Sequence, residues 1–190
     1  MDSASHSDMA NALLRVAPFL VLMAVIGFRV RQGRFPASSL DLRAPPKWST
    51  ALAWWGAFLA YMLVVEVLLY RAGLLELGGF HHRGLPAAVR ILGMVLLAPV
   101  AEELFFRGVL LNLLHQKLGR WQLAVIIQAA LFTLLHNFTW RGDAMGGFYA
   151  AQSFVDAMLF AWARRGSGSL ATPMAMHATG NTIAVLEMLA

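Results

Sequence analysis

The run PAAVRILGMVLLAPVAEELFFRGVLLNLL, Pro86 to Leu114, decides the fold. It is almost wholly apolar and exceeds the roughly 20 residues that a helix needs to cross a bilayer. Pro99 interrupts it. A proline removes a backbone donor and crowds the carbonyl four residues earlier, so the sequence predicts a kink or break just before Ala101, with the helix restarting there. Working outward, five more apolar segments run over Val16 to Phe28, Ala51 to Tyr70, Trp121 to Phe138, Gly147 to Ala163 and Ser169 to Ala190. These six runs predict an all-α, polytopic transmembrane bundle of about six spans. Residues 1–190 form a single integral membrane domain, with a motif-bearing core over 86–190.

Composition supports that class. Hydrophobic residues make up 59% of the 190 and charged residues only 13%, against roughly 45–50% and about 25% in ordinary soluble domains. Six spans use about 120 residues and leave about 70 for loops, too few for a second domain. The most polar connection, Arg29 to Thr50, carries Gly33, Pro36, Pro45 and Pro46 as loop punctuation. Lys and Arg exceed Asp and Glu by 15 to 10, an imbalance that in a membrane protein records topology, not nucleic-acid binding. In alternate loops, Arg29, Arg31, Arg34, Arg43, Lys47, Lys117, Arg120, Arg164 and Arg165 oppose Arg71, Arg83, Arg90 and Arg141. The first set marks the cytoplasmic side and puts both termini outside. Asp2 and Asp8 stand where a signal peptide would be basic, so no removable leader is expected. With no cysteine in the chain, disulfides, thiolate metal sites and a cysteine nucleophile are excluded.

Ionisable groups at mid-bilayer are expensive, about 2.5–3.5 kcal/mol each on insertion scales, so those that persist should face the bundle interior and have partners. In Ala101-Glu102-Glu103-Leu104-Phe105-Phe106-Arg107, Glu103 and Arg107 stand four apart, about 40° around a helix, and can pair. Glu102 is about 140° from Arg107 and is left free for chemistry. Phe132 and His136 share a helical face by the same spacing, as do His177 and Asn181. At about 1.5 Å per residue, Glu102 lies about 20 Å from the cytoplasmic end of its helix, His136 about 22 Å, and His177 and Asn181 about 15 and 21 Å. Three helices therefore deliver polar groups to one layer. Each alone reads as an ordinary interhelical hydrogen-bonder; four at one depth point to a site. Gln152 and Asp156 share a face that could line the same cavity. Arg15, Glu66, His81 and His82 read as interfacial, span-end or loop residues, and the tryptophans Trp54, Trp55, Trp121 and Trp140 as interfacial anchors or lipid-facing packing.

Intramembrane hydrolysis by serine needs a Gly-x-Ser-Gly turn, which Arg165-Gly166-Ser167-Gly168-Ser169 does not supply in register. An aspartate dyad lacks its second deep Asp, and the His-Glu-x-x-His zinc helix is absent. A carboxylate, two histidines and an asparagine remain. Such a set can activate water through Glu102 and His136, while His177 and Asn181 aim donors at a developing oxyanion.

Glu102-Glu103-x-x-x-Arg107, Phe132-x-x-x-His136 and His177-x-x-x-Asn181, in this order, resemble the three motifs of the CAAX-protease and bacteriocin-processing family of intramembrane glutamic endopeptidases. The resemblance covers about 80 residues. It implies a multi-helix membrane endopeptidase in which Glu102 and His136 act on water, His177 and Asn181 bind the oxyanion, and Glu103, Arg107 and Phe132 support them. The implied partners are membrane lipids and a membrane-associated peptide or protein tail, with no nucleic acid and no cofactor. A glutamate with two histidines also matches a catalytic zinc site, so a zinc protease is one alternative. A non-catalytic immunity or scaffolding protein of the same fold is another.

Overall fold

The computed structural model describes residues 3–35 and 40–190; Asp2 and Pro36 lie outside them. Those residues form six helices and no strand: α1 (Ser3–Arg31), α2 (Trp48–Arg71), α3 (Gly84–Leu118), α4 (Trp121–Leu134), α5 (Ala144–Ser167) and α6 (Ala171–Leu189). Each apolar run of the sequence becomes one helix. Helices α1, α2 and α3 are long and apolar enough to cross a membrane. At 14 residues α4 is about 21 Å long, shorter than the roughly 30 Å hydrocarbon core.

Of the kink or break expected at Pro99, the break does not occur. Helix α3 runs through it, widening into π-helical turns over Gly93–Leu97 and Leu104–Leu110. The Ala98 amide reaches back five residues to the Gly93 carbonyl. Val95, whose carbonyl the proline ring would crowd in α geometry, falls inside the widened turn, so the clash is absorbed without a break. Glu102 and Glu103 occupy the short α-helical stretch between the two π segments.

Small residues bring the helices together, as they must where lipid offers no hydrophobic drive for association. Ala124, Ala129, Ala157 and Ala161 are buried where α4 and α5 pack. Gly93 admits α1 so closely that a Cβ there would lie 2.6 Å from Cγ2 of Val16. Larger apolar side chains on α1 and α2, among them Leu14, Val21, Val64 and Leu68, face outward, as a lipid-facing surface requires. Trp54, partly buried, packs against the Phe58–Phe160 cluster. Trp55 donates its indole N–H to Thr179 at 2.9 Å. Two turns then set the approach of the site-bearing helices. Gly119, at φ +64°, takes the left-handed conformation that closes α3. Asp143 caps α5 by accepting the Gly146 amide at 2.6 Å.

Candidate active site

The polar layer starts from a buried ion pair. Glu103 and Arg107 have no solvent exposure and meet at 2.8 Å, four residues apart as the sequence suggested. Three aromatic rings surround the guanidinium, with Phe132 at 4.6 Å, Phe160 at 5.2 Å and Phe106 at 5.8 Å. Arg107 also donates to the Ala157 carbonyl at 3.2 Å, which Gln128 shares at 3.1 Å. A buried charge is tolerated when it is paired and hydrogen-bonded, and these contacts supply both conditions.

Helix α6 brings His177 onto this pair. Its Nδ1 lies 3.0 Å from Oε1 of Glu103, and its Nε2 lies 3.8 Å from Oε2 of Glu102. Glu103 thus serves two partners, of which the spacing of four revealed only Arg107. Since a carboxylate accepts, Nδ1 carries the hydrogen and Nε2 is turned toward Glu102. Phe160 stacks on the imidazole at 5.2 Å and fixes its plane. Oε2 of Glu102 has no hydrogen-bond partner among the described residues, and 3.8 Å is too long to count as one.

His136 arrives by a different route than expected. Helix α4 ends at Leu134, and the amides of Leu135 and His136 close three-residue turns onto Phe132 and Thr133. His136 is extended, with φ −96° and ψ 136°, and starts a 3₁₀ turn over Asn137–Trp140. The shared helical face with Phe132 is therefore replaced by a turn. In it, Nδ1 of His136 lies 2.8 Å from the Phe132 carbonyl, and the ring sits between Phe132 and Phe138 at 4.6 and 5.1 Å. Phe132 also contacts the His177 ring at 5.8 Å, so one phenyl group spaces both imidazoles.

His136, His177 and Asn181 line one cavity of about 170 Å³, together with Phe132, Gln152 and Asp156. Glu102 is not in its wall and meets it through His177. Asn181 donates Nδ2–H to the Met94 carbonyl in the first π segment at 2.7 Å, leaving its second N–H free of that bond. Asp156, in that wall, keeps its buried Oδ1 without a hydrogen-bond partner among the described residues. Among the described residues, no group of three or more His, Asp or Glu side chains is arranged to hold a metal ion.

The family model for type II CAAX prenyl endopeptidase Rce1-like proteins matches residues 84–183, from the start of α3 into α6, and so includes all three motifs. No curated protein and no solved structure matches the chain.

Proposed function

From the chain's membership of the type II CAAX prenyl endopeptidase Rce1-like family, which makes it an intramembrane-type protease, we propose that Glu102, His136, His177 and Asn181 form its catalytic set. Glu102 takes a proton from water, with His136 orienting the water or sharing the proton. The resulting hydroxide adds to the scissile carbonyl carbon. The oxyanion accepts hydrogen bonds from Nε2–H of His177 and the free N–H of Asn181, and the proton held at Glu102 passes to the departing amine. Nε2 of His177 donates only while the ring carries its second proton, a charge balanced by the Glu103 carboxylate 3.0 Å from Nδ1. Arg107, outside the cavity wall, positions His177 through Glu103, and Phe132 packs against both imidazoles.

The observation that carries this reading is His177, held 3.0 Å from Glu103 and 3.8 Å from Glu102 in the wall of a cavity shared with His136 and Asn181. The substrate is a membrane-associated peptide or protein tail, cleaved by a chain that crosses the membrane several times. No metal takes part in the scheme.

The test uses purified protein in detergent with a prenylated peptide, cleavage being followed by intact mass. Glu102→Gln and His136→Ala should lose cleavage while keeping the wild-type helical signal and thermal midpoint. Activity should survive chelation and not track bound metal. Tight stoichiometric zinc, with activity restored only by metal, would replace the water-activating glutamate by a metal site. Full biological effect from Glu102→Ala would favour a binding role.

A further inference from the structure

A second cavity, about 400 Å³, lies where the first half of α1, the start of α3 and the end of α6 meet. Arg15, His82 and Arg90 reach its wall beside Phe19, Phe80 and Met94. It adjoins a more polar space of about 580 Å³ that shares the same three basic residues and extends to Asp8 and Leu14. Arg90 is 7% exposed; one terminal nitrogen meets Asp8 at 2.9 Å, while its buried Nε has no partner among the described residues. Asp8 is also engaged by His82 at 2.9 Å. Arg15 has no carboxylate within ion-pairing distance among the described residues. Two guanidinium groups therefore face this space against one carboxylate, and that carboxylate is already shared.

An uncompensated cation next to phenyl and thioether groups calls for an anion joined to an apolar body. We propose that this cavity binds the phosphate headgroup of an anionic phospholipid, with the exposed Arg15 as its donor and the Arg90 guanidinium in the wall adding positive charge. The acyl chains would follow the outward apolar side chains of α1, Leu13, Leu14, Leu20 and Val21, which are all at least half exposed. Free phosphate satisfies the guanidinium groups equally well but leaves the Phe19, Phe80 and Met94 surface uncovered. The Met94 carbonyl on this wall is the acceptor for Asn181, so the lipid sits one backbone turn from the candidate active site.

The test is native mass spectrometry of the full chain in a non-ionic detergent with added dioleoylphosphatidylglycerol, which does not depend on what the protein cleaves. The wild type should retain one phosphatidylglycerol per chain in preference to dioleoylphosphatidylcholine. Excess inorganic phosphate should not displace it. Because a basic residue at an anionic lipid surface is worth about fivefold in binding, Arg15→Ala should weaken retention by about that factor. Arg15→Glu should weaken it further, and Arg15→Lys should keep most of it. Arg15 is solvent-exposed, so the variants should hold the wild-type thermal midpoint, recorded alongside. Equal retention by wild type, R15A and R15E would overturn the site. Equal retention of phosphatidylcholine would remove the headgroup preference, and displacement by inorganic phosphate would reassign the cavity to a free anion.

Discussion

Glu103–Arg107 and Glu76–Arg141 are both glutamate–arginine pairs at hydrogen-bond distance, 2.8 and 3.1 Å. The first has no exposed surface on either side chain, whereas the second leaves 37% of Arg141 and 55% of Glu76 in solvent. In the exposed pair water competes for every donor and the geometry is one among several; Arg141 indeed divides itself between Glu76 and Asp143. In the buried pair there is no competitor, so the carboxylate is fixed and can in turn fix His177. Burial, more than distance, thus turns an ion pair into a positioning device. That difference can be broken experimentally at graded cost.

The largest effect should come from separating the two adjacent glutamates. Glu102 has an unpaired oxygen and no ion-pair partner in its own helix, whereas Glu103 holds Arg107 and His177 together. Glu102→Gln should lower kcat by about 10²–10⁴ with the thermal midpoint preserved. Glu103→Gln should lower both, because it leaves Arg107 buried without its counter-charge. Rates and melting curves of the two variants, measured side by side, decide this; equal loss of fold in both would end the proposed division of labour. Next in size is Arg107→Ala, expected to destabilise by about 3–5 kcal/mol because an unpaired carboxylate remains in the interior. The double variant Glu103→Gln, Arg107→Met should be more stable than Arg107→Ala alone in denaturant titrations, since it removes both charges and refills the volume.

What the sequence revealed of this contrast was the part governed by helical spacing. Ionisable side chains in apolar runs announced the layer, and the spacing of four between Glu103 and Arg107 named the pair. The second partner of Glu103 was hidden, since His177 is 74 residues away and meets it only when α3 and α6 pack. Nothing in Thr133-Leu134-Leu135-His136 breaks a helix, and no glycine or proline marks the end at Leu134, so the turn that carries His136 leaves no local signal. At Pro99 the steric conflict is real, but a wider π turn resolves it without a break, and in a run so uniformly apolar no polar face records the change of phase.

The third effect concerns Asn181, whose amide is divided between the Met94 carbonyl and the cavity. Loss of one oxyanion donor is expected to reduce kcat by about 10²–10³. Asn181→Ala also frees the Met94 carbonyl, so some loss of stability should accompany it. Asn181→Asp would keep the shape but offer no N–H to either side. If the two variants have equal kcat while only one is destabilised, the rate loss belongs to the missing donor and not to the α3–α6 contact.

The smallest effect belongs to the exposed cluster, and its sign can be worked out. The Arg141 guanidinium holds the Glu76 carboxyl below its ordinary value. The Gly146 amide at the start of α5, and then Arg141, do the same for Asp143. A carboxyl whose folded pKa is depressed stabilises the fold above its unfolded pKa, and that contribution disappears as pH falls through the folded value. The cluster should therefore add a constant amount from neutral pH down to about 4.5 and lose it progressively below. Arg141→Ala should leave the thermal midpoint near neutrality almost unchanged, since exposed pairs contribute little. It should flatten the decline below about pH 4.5, because Glu76 then titrates at nearly the same pH in both states. Melting curves across that range, for wild type and variant in one detergent, measure this directly. If Arg141→Ala instead matched Arg107→Ala in midpoint loss at neutral pH, solvent exposure would not be what distinguishes the two pairs, and the positioning role given to Glu103 would need another basis.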